Sequence, residues 1–103
     1  MASEQENSGR IPMDFCGDSR SYIFPCPWCG EYTQVLESQT ACCIFRHGVY
    51  KKNGEQIPPH AAKNMCDSLV ESGAIYGCGR PFQITLTHSQ EFPNGFVKTC
   101  GYI

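Results

Sequence analysis

The first ten residues, MASEQENSGR, contain no apolar run, so they lack the central segment of a secretory signal peptide. Nowhere does the chain approach the ~18 consecutive apolar residues of a membrane-spanning helix. A basic excess is missing too. Eight Lys and Arg stand against ten Asp and Glu, a formal charge of −2, which excludes a strongly cationic nucleic-acid binder. The imbalance is local. Glu4, Glu6, Asp14 and Asp18 against Arg10 leave residues 1–18 at −3, and the remainder at about +1. No internal repeat of solenoid length occurs. With 103 residues there is room for one small domain, whose modest core needs reinforcement.

What the chain does have is cysteine: eight of them. Without a signal peptide the expected compartment is intracellular and reducing. Thiols there serve metal binding more often than disulfides, which would require a mature secreted chain.

Patterning divides the chain into a flexible polar N-terminal tail, residues 1–18, and a single domain, residues 19–103. Strands are expected at 20–24, 31–38, 41–51 and 55–57, with Asn53-Gly54 turning a hairpin. Residues 58–73 change period. Ala62, Met65, Cys66, Leu69 and Val70 recur at helical spacing, Pro58 and Pro59 suit a helix start, and Gly73 suits its end. The helix is expected at about 59–72. Strand patterning resumes over 74–88, broken by Gly-Cys-Gly. A second turn at 92–96 leads into a strand that closes the chain. The fold class is therefore small α+β: a β-rich domain with one inserted helix.

The segment CPWCG, residues 26–30, has the parts of a metal-binding knuckle. Two thiols lie two residues apart, a proline stiffens the turn, and a glycine follows the second thiol, where a Cβ would be hindered. A redox pair would open a helix, and Gly30-Glu31-Tyr32-Thr33 does not. YGCGRPF, residues 76–82, repeats the second half of such a knuckle. Cys78-Gly79 matches Cys29-Gly30, but Ile75 stands where the first cysteine would be. Another segment must supply the fourth donor.

A tetrahedral zinc site needs four sulfur or nitrogen donors at ~2.0–2.3 Å. On a continuous strand, Cys43 and His47 would lie ~13 Å apart, and Cys42 and His47 would face opposite ways. Neither pair could share an ion unless the strand breaks. Across the helix, His60 and Cys66 are ~9 Å and about 240° apart. Cys66 alone lies on the apolar stripe, which gives Cys26, Cys29, Cys66 and Cys78 as the expected zinc ligands. Cys42, His47 and His60 remain alternates. Four protein donors would close the coordination shell, which argues against metal-assisted hydrolysis.

The motifs CPxC (26–29), CxIFRHG (42–48), QIxPH (56–60), KxxCD (63–67) and GCGxPF (77–82), in this order and spacing, resemble small, uncharacterised zinc-ribbon-like proteins. That group is encoded by large double-stranded DNA viruses and some phages. The resemblance implies a zinc-binding fold and a viral setting: host cytoplasm, virus factory or virion. It implies no activity. Its pattern includes Cys42, His47, His60 and Cys66, and leaves Cys16, Cys43 and Cys100 as ordinary thiols.

Three roles are open on these grounds. One is a zinc-stapled module that contacts nucleic acid or a protein through a basic surface of Arg46, Tyr50, Lys51, Lys52, Lys63 and Arg80. Another is a structural virion or scaffold component that self-associates through the C-terminal strand. A small metal-dependent enzyme built on Arg46, His47 and His60 is disfavoured, because no general base accompanies them.

Overall fold

The computed structural model describes residues 9–40 and 43–102. Among the described residues, nine short strands form three antiparallel sheets, accompanied by one α-helix. In chain order these are β1 (Ile11–Pro12), β2 (Asp14–Cys16), β3 (Ser21–Pro25), β4 (Tyr32–Leu36), β5 (Ile44–Arg46), β6 (Val49–Tyr50), α1 (Lys63–Glu71), β7 (Ile75–Tyr76), β8 (Pro81–Thr85) and β9 (Phe96–Thr99). The first sheet has the order β1-β9-β8-β5, the second β2-β3-β4, and the third pairs β6 with β7. The expected β-rich domain with one helix is what the chain forms. Among the described residues no helix is long and apolar enough to cross a membrane.

The two larger sheets face each other through aromatic side chains. Phe24 of β3 meets Phe82 of β8 edge to face, with ring centroids 5.4 Å apart, and Phe45 of β5 stacks on Phe82 at 5.7 Å. Met13, Val35, Ile84 and Val97 complete this buried cluster. In β4, Val35 is fully buried while Tyr32, Gln34 and Leu36 are exposed, so alternation fixes the register of that strand. A second, smaller cluster gathers Ile57, Ala61, Cys66 and Ile75 beneath α1, with Tyr50, Leu69 and Tyr102 packed against it.

Four expectations need correction. Residues 11–16, assigned by composition to the tail, form β1 and β2. β1 pairs with β9, β2 pairs with β3, and Met13 between them is buried. Burial of one large side chain and two short ladders outweighs a polar composition. Second, the helix begins at Lys63, not near residue 59. Pro58 and Pro59 belong to the preceding turns, and Ala62 is the N-terminal capping residue, in extended conformation. Third, the strand expected over 41–51 is interrupted at His47-Gly48. Finally, among the described residues β9 has β8 on one side and, at Phe96 and Val97, β1 on the other, so those two positions are not a free edge.

Candidate metal centre

A hairpin tip and a bulge meet at the centre. The tip belongs to the β3–β4 hairpin, whose last pair is Pro25 with Tyr32. Beyond it the Cys26 N–H donates to the Glu31 carbonyl at 2.8 Å, and the Gly30 N–H donates to the Cys26 carbonyl at 2.9 Å. This closes CPWCG into a tight turn that needs φ of +83° at Gly30, a value that favours glycine. The turn also aims the Trp28 N–H at the Cys26 sulfur, 3.4 Å away.

The bulge arises from unequal lengths of chain. β5 pairs with β8 at Arg46–Pro81, and β6 pairs with β7 at Val49–Tyr76. Between these pairs only His47 and Gly48 lie on one side, while Gly77, Cys78, Gly79 and Arg80 lie on the other. The surplus bulges outward and carries Cys78. Two backbone bonds hold the bulge against the bend: the His47 N–H to the Arg80 carbonyl at 3.0 Å, and the Gly79 N–H to the His47 carbonyl at 2.7 Å. Trp28 ties tip and bulge together, its indole N–H donating to the Pro81 carbonyl at 2.7 Å.

Here one donor atom each from Cys26, Cys29, His47 and Cys78 lies within 4.8 Å of every other. The sulfurs of Cys26 and Cys78 are 3.8 Å apart. His47 Nδ1 is 3.4 Å from the Cys29 sulfur and 3.5 Å from that of Cys78. These three separations match edges of a tetrahedron whose vertices lie at metal–sulfur and metal–nitrogen distances from its middle, and the other three lie within 4.8 Å. Cys26 and His47 are buried, Cys78 half-buried and Cys29 exposed. The cluster can hold a metal ion.

Electrostatics lead the same way. Its hydrogen bond to Cys78 holds the Cys26 thiol well below the ordinary thiol range. The reciprocal bond to Cys26, together with burial, pushes Cys78 well above it. The pair gives up one proton readily and resists losing the second, since two thiolates this close repel each other. A divalent cation between them removes that resistance.

Of the four expected ligands, the structure brings Cys26, Cys29 and Cys78 together and places Cys66 elsewhere. The thiol of Cys66 is fully buried in the second cluster and points toward the Ala61 carbonyl, 3.9 Å away. Burial raises its pKa, as suits a packed thiol. Of the expected apolar stripe, only Cys66 and Leu69 pack with Ile57, Ala61 and Ile75, while Ala62, Met65 and Val70 are exposed. The fourth donor is His47, first held as an alternate. Of the other alternates, His60 lies exposed in the turn before α1, and Cys42 falls outside the described residues.

The expected basic surface is only partly assembled. Arg46 is buried, donating from Nε to the Ala61 carbonyl at 2.9 Å beneath the Tyr102 ring, so it serves the core. Lys63 pairs with Asp67 at 2.8 Å along the helix. Arg80 is exposed, with its guanidinium 5.2 Å from the Trp28 ring centroid. Lys51 and Lys52 project from the β6 turn beside the rings of Tyr76 and Tyr50, at 5.1 and 5.8 Å.

The two competing fourth donors separate cleanly by titration. His47→Ala should lower metal affinity by about tenfold or more and bring stoichiometry below one per chain at micromolar metal, whereas Cys66→Ala should keep full stoichiometry. Competition against a chromophoric chelator measures both. Comparison of the chain with protein-family models, curated proteins and solved structures returns no match.

Proposed function

We propose that the chain is a zinc-stapled interaction module of the zinc-ribbon kind, viral in origin and non-catalytic, which contacts nucleic acid through its basic hairpin. The observation that carries the metal role is the set of four donors within 4.8 Å, drawn from the tip of the β3–β4 hairpin and from the bulge between the β5–β8 and β6–β7 pairs. Three sulfurs and one imidazole nitrogen are the donor set of structural zinc. They complete a tetrahedron and leave no protein-derived vacancy for a substrate. Cys26, Cys29, His47 and Cys78 would hold the ion, which supplies a fixed junction between the β3–β4 hairpin and the strands flanking His47 and Cys78.

The hairpin supports the second half of the reading. The Gly54 N–H bonds the Tyr50 carbonyl at 2.7 Å and the Glu55 N–H bonds Asn53 Oδ1 at 3.0 Å, which fixes the turn that presents Lys51 and Lys52. Two exposed ammonium groups beside two tyrosine rings are suited to phosphates and stacked bases of a single strand. Elemental analysis should give one zinc per chain. Binding of a single-stranded oligonucleotide should weaken with salt at a log–log slope of about −1.4, the value for two contacts. The Lys51→Glu, Lys52→Glu double variant should flatten that slope. No binding at low salt by a fully metallated chain removes the nucleic-acid contact.

A further inference from the structure

The open edge of β4 carries a second surface with different chemistry. Backbone groups alternate along a strand, and the bonds flanking β4 set the phase. The Glu31 carbonyl accepts from Cys26, and the Glu37 N–H donates to the Arg20 carbonyl at 2.8 Å, so odd-numbered residues turn toward β3 and Arg20. The backbone groups of Tyr32, Gln34 and Leu36 therefore point away, and among the described residues no strand pairs with them. Two are met by side-chain amides instead. Gln56 Nε2 donates to the Gln34 carbonyl at 3.2 Å, and the Leu36 N–H donates to Gln39 Oε1 at 3.3 Å. These amides stand where a neighbouring strand's backbone would.

The edge faces a cleft of about 830 Å³, within the range of ligand-binding sites. Its walls include the exposed rings of Tyr32 and Tyr76, 73% and 63% accessible, and its inner lining includes Phe45 and Ile57. The exposed charged side chains lining it, Glu31 and Glu55, are both acidic. Phosphates would be repelled there.

We infer that the cleft binds an extended, basic peptide segment of a partner protein, which adds as a strand to the outer edge of β4. Its backbone displaces the Gln39 and Gln56 amides, its Lys or Arg side chains meet Glu31 and Glu55, and alternate apolar side chains pack on Tyr32 and Tyr76. The surface adjoins the Lys51–Lys52 hairpin, since Lys51 lies over the Tyr76 ring and Gly54 and Glu55 line the cleft, and it extends the module to a second, protein ligand.

The test uses the full metallated chain and a labelled short peptide alternating lysine with valine, against its glutamate–valine counterpart. The basic peptide should bind and weaken with salt, and the acidic one should not bind. Gln34→Pro removes an outward N–H without touching the β3 ladder, so it should weaken binding by about tenfold while Gln34→Ala stays close to the parent. Glu31→Lys with Glu55→Lys should cost at least about tenfold as well, and decides the matter if the proline variant loses its metal. Lys51→Glu, Lys52→Glu places carboxylates beside Tyr76, so it should bind the basic peptide at least as tightly as the parent while losing the oligonucleotide, which distinguishes this site from the hairpin. Equal binding of both peptides, no binding of the basic one, unchanged binding by a folded Gln34→Pro chain, or loss of peptide binding in the Lys51→Glu, Lys52→Glu variant each overturns the inference.

Discussion

Stripped of metal by exhaustive chelation, the chain should lose its cooperative urea transition and its near-ultraviolet circular dichroism, and Cys26→Ser should do the same without chelator. Structural zinc contributes about 10–16 kcal/mol of apparent binding energy in small modules at neutral pH, comparable to the ~5–15 kcal/mol that holds a whole domain. Cys26 is the donor with most to lose. It is buried, touches Cys78, and receives the Trp28 N–H. A serine there would leave three donors around the ion and a hydroxyl among sulfurs. Two hydrophobic clusters would remain, but the smaller has only four buried members. Retention of a sharp unfolding transition after metal removal, at unchanged midpoint, would show that those clusters suffice and that the ion is incidental.

Gly77→Ala should be strongly damaging although Gly77 offers the metal no donor atom. Gly77 has a φ of +111°, and an added Cβ would lie 2.5 Å from the His47 carbonyl oxygen and 3.0 Å from the Gly48 Cα. The positive φ costs roughly 1–2 kcal/mol and overpacking against backbone about 1–3 kcal/mol. The sum, about 2–5 kcal/mol, corresponds to a fall in melting temperature of at least ~8 °C in a domain this size. The effect should also reach the metal, because the displaced backbone is that of a ligand. Gly17→Ala is the control. Nothing lies within 4 Å of its added Cβ, and its φ is not positive, so its melting temperature should move little. A Gly77→Ala protein that melts with the parent would mean that the bulge does not sit against His47.

The legibility of this centre in the sequence followed the range of the forces that build it. CPWCG and Cys78-Gly79 were readable because a tight turn requires particular residues at fixed offsets, whatever surrounds it. His47 was not. An unbroken strand would keep it from sharing an ion with Cys42 or Cys43, and the bend at His47-Gly48 is held by Arg80 and Gly79, more than thirty residues away. Two signals did point there: Gly48 directly follows a histidine, and Ile75 occupies the place of a missing cysteine. Cys66 misled for a related reason. The helical stripe correctly marked it as buried but could not say against what. β1 and β2, at two and three residues, are too short for alternation to register, and only their partners reveal them.

The donors sit far apart along the chain, 18 residues from Cys29 to His47 and 31 from His47 to Cys78. Synthesis presents them in that order: two thiols first, then an imidazole, and the Cys78 sulfur last. An ion captured before residue 78 has emerged would lack its fourth donor, and β1 would wait longer still for β9. A chain truncated before residue 78 should therefore bind metal more loosely than the chain that carries all four donors.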